Sequence, residues 1–147
     1  MQLKTLLGAT SIRQVIGSPD RPVAGIAYDS RRVQKNDLFV ALRGEKADGH
    51  EFIGQAIDRG ASVVVAQREE KNPRVTCVVV ENTRVALADL AAAFYGFPAR
   101  KLKLAAVTGT NGKTTTTFLI KHICEKAGLP CGLIGTVRYE IGERILP

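Results

Sequence analysis

Residue type and spacing first point to chemistry in the run Thr108-Gly109-Thr110-Asn111-Gly112-Lys113-Thr114-Thr115. Glycines at 109 and 112 let the backbone approach an anion without side chains in the way. A helix beginning at Lys113 would set unpaired N–H groups and the positive end of its dipole against the same anion. In such a loop the lysine neutralises the β- and γ-phosphates of ATP, and the hydroxyl after it ligates Mg²⁺. Gly109, Thr110, Asn111, Gly112, Lys113, Thr114 and Thr115 are thus the candidate ATP-binding residues. Lys113 is the candidate catalytic cation and Thr114 the candidate metal ligand. The spacing departs from the general pattern of glycine, four residues, then Gly-Lys-Ser/Thr, because Val107 stands where the first glycine belongs. The alternative is a glycine-tightened turn with a solvated lysine. An apolar run before the loop and an amphipathic pattern after it favour phosphate.

Flanking elements must hold that loop in place. Leu102 to Val107 is expected as a strand, and Lys113 to Ala127 as a helix with Leu119, Ile120 and Ile123 facing inward. Gly128 and Pro130 close the helix. Cys131 to Thr136 is expected as a second strand, followed by a hairpin from Val137 to Leu146 around Gly142. A doubly wound sheet needs helices on both faces, so residues 99–147 are expected to be the first βαβ element of a P-loop domain, incomplete. Exposed strand edges there would promote self-association. The alternative is that these residues extend the first domain's sheet.

Ahead of this unit, strands and helices alternate over residues 1–98, so the fold class is α/β with a small mixed-sheet first domain. Lys4 to Leu7 suits a short helix. Val23 to Tyr28 and Asp37 to Leu42 read as strands joined by a polar connection. Asp48 and Glu51 have capping-box spacing before a helix whose Phe52, Ile53, Ala56 and Ile57 share a face, and Gly60 stops it. The apolar runs Ala61 to Ala66 and Val75 to Val80 are buried strands. Asn82 or Thr83 caps a helix with Leu87, Leu90, Ala91 and Phe94 on one stripe.

The chain has 147 residues, 45% apolar and 24% charged, which excludes wholesale disorder. No apolar stretch reaches the roughly 18–20 residues of a membrane span, and the first residues lack a secretory signal pattern. Cys77, Cys124 and Cys131 lack metal-ligand spacing, so reduced thiols in a cytoplasmic protein are expected, with Cys124 and Cys131 as core residues. The net charge of +7 favours an anionic partner. With aromatics at 5% and no Trp, phosphorylated small molecules fit better than nucleic acid. Arg31 and Arg32 could clamp phosphate, though an ion pair with Asp29 or Asp37 is the simpler expectation. His50 is assigned to the first turn of a helix rather than to catalysis.

The stretch Ala106-Val107-Thr108-Gly109-Thr110-Asn111-Gly112-Lys113-Thr114-Thr115-Thr116 resembles the shortened P-loop of the Mur ligases, ATP-dependent enzymes that add amino acids to the peptidoglycan precursor. Tyr28-Asp29-Ser30-Arg31-Arg32-Val33, Asp37-Leu38-Phe39-Val40-Ala41, Gly44, Asp48-Gly49-His50 and Gly60-Ala61 resemble the family's amino-terminal domain. Gly-Thr-Asn-Gly-Lys-Thr, with Gly132-Leu133-Ile134-Gly135-Thr136-Val137 downstream, is more similar to the branch acting third in the pathway than to the fourth. The fourth more often has Ser before the Asn.

The resemblance implies ligation of meso-diaminopimelate or L-lysine to UDP-N-acetylmuramoyl-L-alanyl-D-glutamate through an acyl phosphate. It also implies further domains, without which this stretch alone would be inactive. Alternatives are the fourth-step branch, a folylpolyglutamate-synthetase-like protein, which the Asp-Ser-Arg motif disfavours, and a non-catalytic uridine-nucleotide-binding module. Carried over by motif position, the UDP-binding candidates are Tyr28, Ser30, Glu45, Lys46 and Ala47. Tyr28 offers a ring face and Ser30 a donor and acceptor for a uracil edge. Ser30 could equally stabilise its own turn, and Glu45 and Lys46 could be a solvated loop. Asn36 stands where the family usually has glycine, and asparagine tolerates the left-handed backbone required there.

Overall fold

A computed structural model describes residues 1–45, 47–142 and 144–146, in two compact units, Met1–Leu102 and Lys103–Pro147. The first unit runs α1 (Leu3–Leu7), β1 (Ile12–Ile16), β2 (Ile26–Ala27), β3 (Leu38–Val40), α2 (Ile53–Asp58), β4 (Val63–Ala66), β5 (Thr76–Val80) and α3 (Thr83–Phe94). Its sheet has the order β1-β5-β4-β3-β2; β2 to β5 are parallel, and β1 pairs antiparallel with β5. The expected mixed α/β sheet is therefore formed.

Period-two alternation divides the core between the two faces. Leu38, Val40, Val63, Val65, Val78 and Val80 pack with Leu3 and Leu6 of α1 and Ala86 and Leu90 of α3. Phe39, Ala41, Val64 and Ala66 meet Ile53, Ala56 and Ile57 of α2. With both faces covered, the central strands are continuous β-branched runs, which is why they were legible as apolar stretches.

The edges differ from expectation. β1 was not anticipated: its register shifts between Ile12 and Gln14, and that bulge breaks the alternation by which a strand is recognised. β2 is shorter than Val23 to Tyr28, because Pro22 bridges to Gln2 and Val23 N–H donates to Met1 O at 2.7 Å. A 3-10 turn, Ser30–Arg32, occupies the polar connection. Asp48 accepts from His50 N–H and opens a 3-10 turn, Gly49–Phe52, before α2, so no capping box with Glu51 forms. Asn82 caps α3 by accepting from the N–H groups of Arg84 and Val85. Asn36 has φ 67°, the left-handed conformation expected of it.

The second unit comprises α4 (Lys113–Lys126) and an antiparallel sheet of β6 (Gly132–Ile134), β7 (Tyr139–Ile141) and β8 (Arg144–Leu146), the last two turning at Gly142. Residues 102–107 are not the expected strand: among the described residues none pairs with them, and a strand exists only through its ladder. The covered stripe of α4 also differs. Thr117, Phe118, Lys121 and Cys124 are its least exposed residues, whereas Leu119, Ile120 and Ile123 are 57%, 36% and 58% exposed.

An ion-pair cluster lies on the covered stripe. The Lys121 ammonium donates to Glu125 at 2.5 Å and to Glu140 of β7 at 3.0 Å. Arg138 also pairs with Glu140 and lies over the Phe118 ring. The mutual hydrogen bonds hold Lys121 charged and keep the Glu140 carboxyl below its ordinary range. Cys124 and Cys131 are consequently half-buried at the margin, not core. No helix among the described residues is long and apolar enough to cross a membrane.

Candidate functional site

Gly112 stands at the N-cap of α4 with φ 75°, and Gly109 has φ 145°. An L side chain is strained at either value, so the two glycines are what let the loop fold over the helix end. Thr116 N–H bonds back to Gly112 O at 2.9 Å, so the N–H groups of residues 113–115 have no intrahelical acceptor. The Lys113 ammonium donates to Gly109 O at 2.5 Å and Thr110 O at 3.2 Å, bracing the loop from within. Thr114 follows at the second helical position, exposed, and its carbonyl accepts from the Thr117 hydroxyl. Backbone donors, one cation and a hydroxyl within a single turn suit a polyphosphate carrying Mg²⁺, a hard cation that takes oxygen ligands.

The first unit contributes a different surface. β2 to β5 run parallel, so their carboxyl ends share one edge of the sheet, where ligands bind open α/β sheets. Tyr28 and Ser30 leave β2 there, and Glu45 and Ala47 lie in the loop after β3. The fold thus gathers these four candidates at one edge; Lys46 lies outside the described residues. Tyr28 is exposed and walls a cleft of about 550 Å³ with Ala24, Asp29, Arg32, Gln34 and Tyr95. Ser30 is only 7% exposed and donates its hydroxyl to Gln55 Oε1 at 2.6 Å, tying its turn to α2.

The Arg43–Asp48 bridge, Gly44 N–H on Ala47 O at 3.0 Å and Gly49 N–H on Leu42 O at 2.8 Å shape the loop that presents Glu45 and Ala47. His50 then pins it. Its buried ring accepts the Gln67 N–H at Nε2, 3.1 Å, and has Nδ1 2.6 Å from Asp48 Oδ1. An accepting Nε2 places the proton of the neutral ring on Nδ1, donated to Asp48. Both His50 hydrogen bonds, backbone and ring, lower the Asp48 carboxyl. Sequence reasoning placed His50 in its turn but missed this link to the end of β4, because Gln67 lies far along the chain. It also missed Gln34 and Tyr95.

Glycine at 49 is required by close approach. An added Cβ would sit 2.5 Å from Leu42 O and 2.7 Å from Leu42 N, so the loop would have to move. Gly49→Ala is expected to destabilise the first unit by about 1–3 kcal/mol, measured by denaturant unfolding. An unchanged midpoint would show that the loop yields freely.

Arg31 is paired with Asp29, Nη2 to Oδ2 at 2.8 Å and Nε to Oδ1 at 3.0 Å, so the expected ion pair forms and Arg32 is the cation left lining the cleft. The side-chain and backbone hydrogen bonds from Arg31 pull the Asp29 carboxyl from 3.8 down to about 2. A depressed folded value means that this pair favours the fold above the unfolded value and loses its effect as pH falls through about 2. Carboxyl-detected NMR titration should find that midpoint near 2. An ordinary midpoint would remove the pairing.

Two family models match this architecture: "Mur ligase family, catalytic domain" over residues 22–95 and "Mur ligase middle domain" over 107–146. The chain belongs to the Mur ligase family. It is 48% identical over 144 residues to the UDP-N-acetylmuramoyl-L-alanyl-D-glutamate–2,6-diaminopimelate ligase of Syntrophomonas wolfei, covering 97% of this chain and 29% of that protein. The enzyme of the same name from Clostridium tetani is 45% identical, with 98% and 30% covered.

Among solved structures, a diaminopimelate ligase of this name aligns over 100% of the chain and 30% of its own, with a TM-score of 0.76 and 25% identity. MurF from Acinetobacter baumannii aligns over 85% and 27%, with a TM-score of 0.66 and 31% identity. The chain spans about 30% of the length of the curated relatives it matches.

Proposed function

We propose that this chain supplies the UDP-binding and ATP-phosphate-binding parts of an ATP-dependent ligase. That enzyme would join meso-diaminopimelate or L-lysine to UDP-N-acetylmuramoyl-L-alanyl-D-glutamate, and identity to relatives of the third-step name favours this branch over the MurF branch. The observation that carries the reading is the turn at Gly112, where uncapped helix N–H groups and the Lys113 ammonium converge.

In this reading the γ-phosphoryl group of ATP passes to the D-glutamate carboxylate. The amine of the incoming amino acid then displaces phosphate from the acyl phosphate. Lys113 exchanges its loop carbonyls for phosphoryl oxygens and offsets charge that grows in the transition state, an electrostatic role. The Thr114 hydroxyl would hold Mg²⁺, which supplies further charge neutralisation on the phosphates. At the sheet edge, Tyr28 offers its ring to the uracil, and Glu45, Lys46 and Ala47 complete the candidate UDP-binding set. With its proton donated to Gln55, the Ser30 hydroxyl would meet the uracil edge as an acceptor, while the same bond ties its turn to α2.

The complete protein tests this directly. Phosphate release from ATP should require both the UDP-dipeptide and a diamino acid, and omitting either should silence it. Phosphate release with D-alanyl-D-alanine as acceptor on the UDP-tripeptide would instead assign the MurF branch. The UDP-dipeptide binding calorimetrically, with no ATP turnover under any combination, would leave only a uridine-nucleotide-binding module.

A further inference from the structure

We propose that His50 is a positioning residue for the UDP precursor: its ring fastens the loop that presents Glu45 and Ala47 to the carboxyl ends of β4 and β5. The inference rests on the reading of Glu45 and Ala47 as UDP-binding residues and adds the group that sets their place. The loop leaves β3 and returns through Asp48, so its two feet stand side by side in the Arg43–Asp48 bridge. At the first foot, the exposed Arg84 of α3 donates to Arg43 O at 3.3 Å.

The second foot is held from within. Asp48 Oδ1 accepts from the His50 backbone N–H at 3.0 Å and from its ring Nδ1–H at 2.6 Å, and Nε2 accepts the Gln67 N–H at 3.1 Å. Gln67 follows β4 directly, and its own Nε2 donates to Glu81 O, just past β5, at 3.0 Å. An unbroken chain from Asp48 through His50 and Gln67 to Glu81 thus refers the loop to two central strands.

The His50 side chain is only 4% exposed, so solvent does not stand in for these bonds. Deleting the ring deprives the Gln67 N–H of its acceptor and leaves Asp48 on the backbone hydrogen bond alone. A loop released at one foot samples more positions, and ordering it then weakens precursor binding. The coupling is reciprocal: whatever the ring contributes to binding, binding returns to the contacts of the ring.

The complete protein is assayed by steady-state ligation, with KM measured separately for the UDP-dipeptide and for ATP. His50→Leu is expected to raise the UDP-dipeptide KM about 10-fold, while the KM for ATP and kcat per folded molecule stay near the parent's. A purely structural role would lower the folded fraction, which reduces apparent kcat and leaves KM alone. His50→Gln, whose longer amide brings an acceptor oxygen to the place of Nε2, should recover most of the affinity. His50→Asn reaches only as far as Nδ1 and should not. A parental UDP-dipeptide KM in His50→Leu, or equal recovery by His50→Asn and His50→Gln, overturns the proposal and leaves the UDP site standing. The parent supplies a second measurement: amide exchange at Gln67 should slow when the UDP-dipeptide saturates the protein. Unchanged exchange overturns the proposal even if no variant folds. A parent that neither binds nor uses the UDP-dipeptide removes the site itself, and the proposal with it.

Discussion

Replacing Lys113 by alanine in the complete protein is expected to lower ATP-driven ligation by about 10²–10³-fold or more, the range for removing one preorganised donor from a developing charge. The side chain is exposed and its two hydrogen bonds reach only its own loop, so little stability should be lost with it. The decline should therefore appear in turnover and ATP affinity while the folded fraction stays unchanged. Calorimetric binding of the UDP-dipeptide should be preserved, since the candidate residues for it lie in the other unit. Lys113→Arg should recover only part of the rate, because a planar fork cannot take the place of a compact ammonium inside so tight a loop. Ligation persisting near the parental rate in the alanine variant would mean that the loop does not serve the phosphoryl group.

The second large effect concerns the scaffold. Phe39, 1% exposed in the middle of β3, fills the layer between the sheet and Ile53, Ala56 and Ile57 of α2. Truncation to alanine leaves a cavity that this packed layer cannot close, at a cost of about 3–5 kcal/mol. Against a typical stability of about 5–15 kcal/mol, that would lower the unfolding temperature of the first unit by roughly 15 °C or more. Val85→Ala, on an exposed position of α3, should move it little. Because β3 feeds directly into the loop carrying Glu45 and Ala47, weaker UDP-dipeptide binding is expected alongside. Calorimetry of both variants decides the matter: equal transitions would show that the layer tolerates a void.

How much of this was legible beforehand follows from the range of each interaction. The glycine and lysine spacing at 109–113, the cap at Asn82, the left-handed Asn36 and the buried β-branched runs all express local rules of dihedral freedom, N–H accounting and periodicity. A sequence carries those directly. β1 was hidden because its identity as a strand rests on β5, with Ile12 opposite Val80. The covered face of α4 differs from expectation because hydrophobic periodicity favoured Leu119, Ile120 and Ile123, while the stripe that is covered carries Lys121 paired with Glu125 and with Glu140 of β7, a contact no local pattern encodes.

The site divides in the same way. The candidate phosphate loop is contiguous, so its glycine spacing and its N–H donors are readable from its own residues. The sheet-edge surface is assembled from Tyr28, the loop after β3 and the His50–Gln67 link, and only the parallel register brings them to one side. Local conformation is set by neighbours in the chain, whereas pairing and burial depend on segments whose meeting no short stretch can encode.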